Sequence, residues 1–125
     1  MTRNQLIRGA LWSSVALNAL GVFILAPLAV GRPSSLWPIA APPYYAAQLC
    51  YTVGLVGVVY AWLAIQRTIN RTLVVVGALG KAGFFLLTVA YAVAGEVPVS
   101  MALQATPDLV LAIVFLWWAR APALL

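Results

Sequence analysis

The stretch Pro98-Val-Ser-Met-Ala-Leu-Gln-Ala-Thr-Pro-Asp-Leu-Val-Leu-Ala-Ile-Val-Phe-Leu-Trp-Trp118 decides how this chain folds. Its uninterrupted apolar part, Leu109 to Trp118, is ten residues long. That is too short to cross a bilayer, whose hydrocarbon core takes about 20 helical residues. To span, the segment must extend upstream to Pro98 or Val99, taking in Gln104, Thr106, Pro107 and Asp108. Asp108 then lies close to mid-membrane. The competing arrangement is a half-helix after an outer loop, with Asp108 as an N-cap at the surface, a role Asp fills well. A lone half-helix would need shelter from lipid, because its open backbone groups find no water there. The full span is therefore the expectation.

Upstream, three further apolar segments fall at about 6–30, 44–65 and 72–94, with the fourth at 98–118. The first runs from Leu6 through Val30, broken after Arg8 only by Ser13, Ser14 and Asn18, and stops at Gly31-Arg32-Pro33. The second begins after Pro42-Pro43 and ends at Gln66-Arg67. The third follows the link Thr68-Ile69-Asn70-Arg71 and ends near Gly95-Glu96. Composition agrees: the 125 residues are 65% hydrophobic and 7% charged, with no histidine and a mean hydropathy of +1.03. A soluble domain of this size needs a polar exterior, which so few charges cannot supply. The expected fold is an all-α integral membrane protein, one domain over 1–125, built as a four-transmembrane-helix up-down bundle.

The basic residues set an orientation. Arg3 and Arg8 precede the first span, Arg67 and Arg71 flank the link between the second and third, and Arg120 follows the fourth. With an even number of spans all of these share one side, the cytoplasmic one by the positive-inside rule, so both termini are expected there. Trp62, Trp117 and Trp118 belong to the inner interface, and Trp37, Tyr44 and Tyr45 to the outer one. The pI of about 10 is thus a topology signal and implies no nucleic acid. Met1 to Arg8 followed by an apolar run resembles the start of a signal peptide, but the run is too long, and Pro27 sits where a cleavage site would need an extended small-residue segment. Retention is expected. Asn70-Arg71-Thr72 fits the glycosylation pattern but lies on the expected cytoplasmic side. Cys50 is the only cysteine, so no internal disulfide exists.

Ionisable groups inside a bilayer are costly and are paired or functional. Lys81 and Asp108 are the two such groups here. At about 100° per residue, the polar face of the third span holds Lys81 and Thr88 with Gly77, Gly80, Phe84 and Tyr91. On the fourth, Gln104 and Asp108 stack four apart, and the face continues through Leu111 and Phe115. The first span offers Ser14 and Asn18 with Gly21; the second offers Gln48, Tyr51 and Thr52. Lys81 is about nine residues from the inner end of its span and Asp108 about ten from the outer end of its own, so antiparallel neighbours bring them to similar depth. The expected ligand-binding cluster is Asn18, Thr52, Lys81, Gln104 and Asp108, with Tyr51 and Gln48 toward the outer mouth. One account makes Lys81 and Asp108 a structural ion pair clipping two helices together. The other makes them line a pocket that holds the polar end of a lipophilic molecule or exchanges protons. Pro107 removes a backbone donor, so a kink is expected near 103–107, and the polar cluster would then partly repair the freed carbonyls.

Gly77, Gly80 and Gly83 beside Lys81 imitate a phosphate loop, yet no strand precedes them; close helix packing explains them better, as it does Gly54 and Gly57. Glu96 is expected to be a solvated loop charge. No cofactor and no metal is implied.

The run Gly77-Ala-Leu-Gly-Lys81, then Gly95-Glu-Val-Pro98, Asp108-Leu-Val110 and Phe115-Leu-Trp-Trp118, resembles a pattern in small uncharacterised bacterial four-helix membrane proteins, loosely DoxX-like, over the second half of the chain. The resemblance implies the bundle architecture, an inner-membrane location and an orphan or accessory role. Small multidrug transporters are similar in size but carry a glutamate in the first helix, which this chain lacks there. Fluoride channels insert both ways, whereas the basic bias here is one-sided. The expected function is a multi-pass inner-membrane accessory or binding protein. Its expected partners are membrane lipids, a lipophilic small molecule near Lys81 and Asp108, and a second copy or larger complex. Two alternatives stay open: an acid-base enzyme on a lipid-like substrate, an isomerase or cyclase with Asp108 as proton donor, and a proton-coupled transporter.

Overall fold

A computed structural model describes residues 2–120. Its helices are α1 (Arg3–Ala29), α2 (Pro43–Ile65), α3 (Arg71–Val93), α4 (Val99–Gln104) and α5 (Thr106–Arg120). Among the described residues there is no strand, only an isolated bridge between Ser34 and Trp37. Among the described residues, four helical runs are long and apolar enough to cross a membrane: α1, α2, α3, and α4 with α5 taken together over Val99–Arg120, 22 residues. The first three expected spans fall within three residues of α1, α2 and α3 at either end.

The fourth expected span, 98–118, is not one helix. It breaks at Ala105, inside the interval where Pro107 calls for a kink. Pro107 has no N–H to give the Leu103 carbonyl and its ring crowds the preceding turn. The Ala105 N–H closes α4 by donating to the carbonyls of Met101 (3.0 Å) and Ala102 (3.2 Å), and the Asp108 N–H donates back to the Ala105 carbonyl at 3.1 Å. Asp108 therefore lies in the first turn of α5. There a carboxylate meets the positive end of the helix dipole. Asp108 is thus the third residue of α5 and not its N-cap, within a 22-residue helical run long and apolar enough to cross a membrane.

Helix ends are closed in two ways. α1 and α3 finish on glycines in the left-handed region, Gly31 at φ +78° and Gly95 at φ +79°. Around them the Arg32 N–H reaches the Pro27 carbonyl at 2.8 Å and the Glu96 N–H reaches the Tyr91 carbonyl at 2.9 Å. These are Schellman closures, which a Cβ at the glycine would strain. α2 and α5 finish under arginines of the first helix. Arg8 donates to the carbonyls of Ala64 (2.6 Å) and Arg67 (3.1 Å), and Arg3 donates to those of Trp118 (2.9 Å) and Trp117 (3.2 Å). A guanidinium supplies several donors to carbonyls that have no partner within their own helix.

Packing divides the chain into two units, one drawn from 1–11 with 63–125, the other Trp12–Trp62. In the second, Leu25, Leu28 and Ala46 form a core against which Trp37, Ala41, Cys50 and Val53 pack. Here α1 and α2 approach closely: a Cβ on Gly57 would lie 3.1 Å from the Asn18 Cβ, and one on Gly21 3.2 Å from Val53 Cγ1. Small residues permit such an approach. In the first unit α3 packs on α5 and α4. The buried α3 residues are Val74, Ala78 and Lys81. Gly80 and Gly83 face open space, so the close packing expected of them is absent at both positions. The expected α3 face is corrected accordingly, with Phe84 and Tyr91 exposed.

Candidate functional site

The site is built by α3 and α5, which run antiparallel. The middle of α3 meets the start of α5 at Lys81 and Asp108, while the Arg71 guanidinium, at the start of α3, lies 5.8 Å from the Trp118 ring centre near the end of α5. Val74, Ala78 and Lys81 recur at helical spacing on one face of α3, and Ala112, Phe115 and Trp118 do so on α5. Both charges thus continue apolar, buried stripes. Lys81 Nζ donates to Asp108 Oδ1 at 3.0 Å, with side-chain exposures of 3% and 16%. The lysine is buried on the same stripe as Val74 and Ala78, and its charged head needs a polar partner. The carboxylate supplies one. Its second oxygen, Oδ2, receives no hydrogen bond among the described residues.

The remaining expected site residues lie elsewhere. Gln104 is exposed at the end of α4. The break at Ala105 separates it from the helix that carries Asp108, so the four-residue stacking fails. Asn18 Nδ2 donates to the Val53 carbonyl at 2.9 Å and so joins α1 to α2. Thr52 bonds back within its own helix, its hydroxyl donating to the Gln48 carbonyl at 2.9 Å, a common resting place for a helical threonine. The Gln48 amide donates to the Tyr44 hydroxyl at 3.0 Å, and Tyr51 is 72% exposed. Asn18, Gln48, Tyr51 and Thr52 all belong to Trp12–Trp62. An open recess of about 460 Å³ between the end of α1 and the start of α2, lined by Leu28, Arg32, Trp37 and Ile39 among others, contains none of the expected site residues.

Two arginines also close helix ends. Arg3 and Arg8 hold the C-terminal carbonyls of α5 and α2, the Arg3 guanidinium also lies 4.1 Å over the Trp117 ring, and the Trp118 indole donates to Asn4 Oδ1 at 3.4 Å. A basic residue in the first turns of the first helix gives no sequence signal for which distant carbonyls it will reach. No protein-family model, curated protein or solved structure matches this chain.

Proposed function

We propose that the chain is a small multi-pass inner-membrane accessory protein, a four-helix bundle with both termini cytoplasmic, in which Lys81 and Asp108 act as a clip rather than a reaction centre. The observation that carries this is the 3.0 Å contact between a buried lysine and a largely covered aspartate, each the other's charge partner. Its position explains its use. The fourth span is broken at Ala105 and cannot rely on a continuous backbone to hold α5 in place. An ion pair in the first turn of α5 fixes the restarted helix to α3. The arginines grouped at one end support the orientation, and the likeness of the second half to loosely DoxX-like proteins fits an accessory role.

A second reading rests on Asp108 Oδ2. With no donor of its own, that oxygen could accept the polar head of a lipophilic molecule or a proton, which is the starting point for binding, for acid-base catalysis or for proton-coupled transport.

One set of variants separates the two. If the pair is a clip, Lys81→Met or Asp108→Asn alone lowers unfolding stability in bicelles by about 3–5 kcal/mol, because one buried charge is left without its partner. The double variant recovers most of that loss. A double variant as unstable as the two single losses combined would remove the clip. Asp108→Asn with wild-type stability, but without a hydrophobic compound that the wild-type protein retains through purification, would install the pocket.

A further inference from the structure

We infer that the exposed face of α2 is covered by a second copy of this chain, in the same membrane orientation, with Gln48 and Tyr51 bonding across the contact. The proposal concerns a different face from the Lys81–Asp108 clip and rests on the reading of α2 as a membrane span.

α2 has two unlike sides. Ala46, Cys50, Val53 and Gly57 turn toward α1, where Cys50 Sγ donates to the Val22 carbonyl at 3.6 Å. On the opposite side Tyr44, Gln48, Tyr51, Leu55, Val58 and Trp62 follow one another at steps of four and three residues, and all are exposed. Steps of four and three keep one seam facing a neighbouring helix at a shallow crossing angle.

Spacing alone would suit lipid equally well; the polar groups on the seam do not. Gln48 gives one amide hydrogen to Tyr44, and neither its Oε1 nor the Tyr51 hydroxyl has a hydrogen-bond partner among the described residues. At 1.5 Å per residue, Tyr51 attaches roughly 5 Å from the midpoint of α2 and Gln48 roughly 9 Å, inside a hydrocarbon layer of about 30 Å. Acyl chains offer no hydrogen bonds to satisfy them.

Whatever covers this seam must present donors and acceptors at the same two depths. A second copy related by a twofold axis along the membrane normal does so by symmetry. A glutamine amide is both donor and acceptor, so two facing Gln48 side chains complete each other, and two tyrosine hydroxyls do the same. On α3 the exposed Leu79, Leu86, Leu87 and Val93 are suited to lipid, and the one exposed tyrosine, Tyr91, lies two residues from the helix end, roughly 13 Å from its midpoint, where a hydroxyl can reach the interface.

The test uses the sole cysteine. In a Cys50→Ser background, which keeps a donor toward Val22, single cysteines replace Gln48, Tyr51 or Leu55 on the seam and Leu49 or Val56 beside it. Oxidation with copper phenanthroline in native membranes should give at least about fivefold more linked dimer from the seam positions, because a disulfide needs Cα atoms within about 7 Å. By resonance energy transfer between labelled copies in liposomes, Gln48→Leu should weaken self-association about 3- to 20-fold. Equal linkage at all five positions, no linkage, or linkage only to a different protein would overturn the second copy, leaving the clip to stand on its own variants. Release of the chain from membranes by alkaline carbonate would overturn both proposals.

Discussion

Two helix contacts in this chain are fastened by different chemistry. Between α1 and α2 the backbones come close at Gly57 and Gly21, and the polar bond is neutral, the Asn18 amide on the Val53 carbonyl. On α3, by contrast, Gly80 and Gly83 have no neighbour within 4 Å, and the bond to α5 is an ion pair with a buried lysine. Moving an aliphatic side chain from lipid tails into a helix contact gains little, so adhesion in a membrane has to come from close packing or from polar groups. Each contact relies mainly on one of these. The difference follows from continuity: α1 and α2 are unbroken over the stretch they share, whereas α5 starts afresh after Ala105 and needs a fixed point at its beginning.

The comparison predicts unequal responses to the same change. Apart from the ion-pair variants, the largest loss is expected at Gly57. Gly57→Ala puts a methyl group 3.1 Å from the Asn18 Cβ and pushes on the residue that carries the polar bond. Overpacking of this kind costs about 1–3 kcal/mol, partly offset by the better helix propensity of alanine. Unfolding in bicelles should show a clear loss, and an unchanged midpoint would mean that α1 and α2 are not in close contact. Asn18→Leu comes next. It removes one interhelical hydrogen bond, worth about 0.6–1.7 kcal/mol in a membrane, with the glycine approach intact. A loss as large as that of Lys81→Met would erase the distinction between neutral and charged fastening.

How much of this the sequence discloses varies residue by residue. Lys81 and Asp108 stand out because charge inside an apolar run has few uses, and equal depth on antiparallel helices directs them toward each other. Pro107 marks the kink for a local reason, the missing N–H, and the break lies two residues before it, at Ala105. The fate of Gln104 depends on that break and cannot be read from a continuous helical wheel. Glycine spacing shows where helices can approach, not where they do: Gly57 meets a neighbour and Gly80 does not. The guanidinium caps of Arg3 and Arg8 are least legible, since their carbonyl partners lie as far as 115 residues away along the chain.

The smallest effect, of opposite sign, should come from Gly83. A Cβ there has no atom within 4 Å, so Gly83→Ala introduces no clash and removes a helix-interior glycine, whose penalty relative to alanine is about 1 kcal/mol in water. The Lys81–Asp108 pair is untouched, because Gly83 is not among the buried α3 residues. Stability should stay level or rise by up to about 1 kcal/mol. Placed beside Gly57→Ala, this gives one substitution with two signs, and only the position of each glycine in its contact separates them. A loss at Gly83 comparable to that at Gly57 would mean that α3 is packed there by a neighbour, either another part of the chain or a second copy. The ion pair would then no longer stand in for close packing, and the contrast between the two contacts would fail.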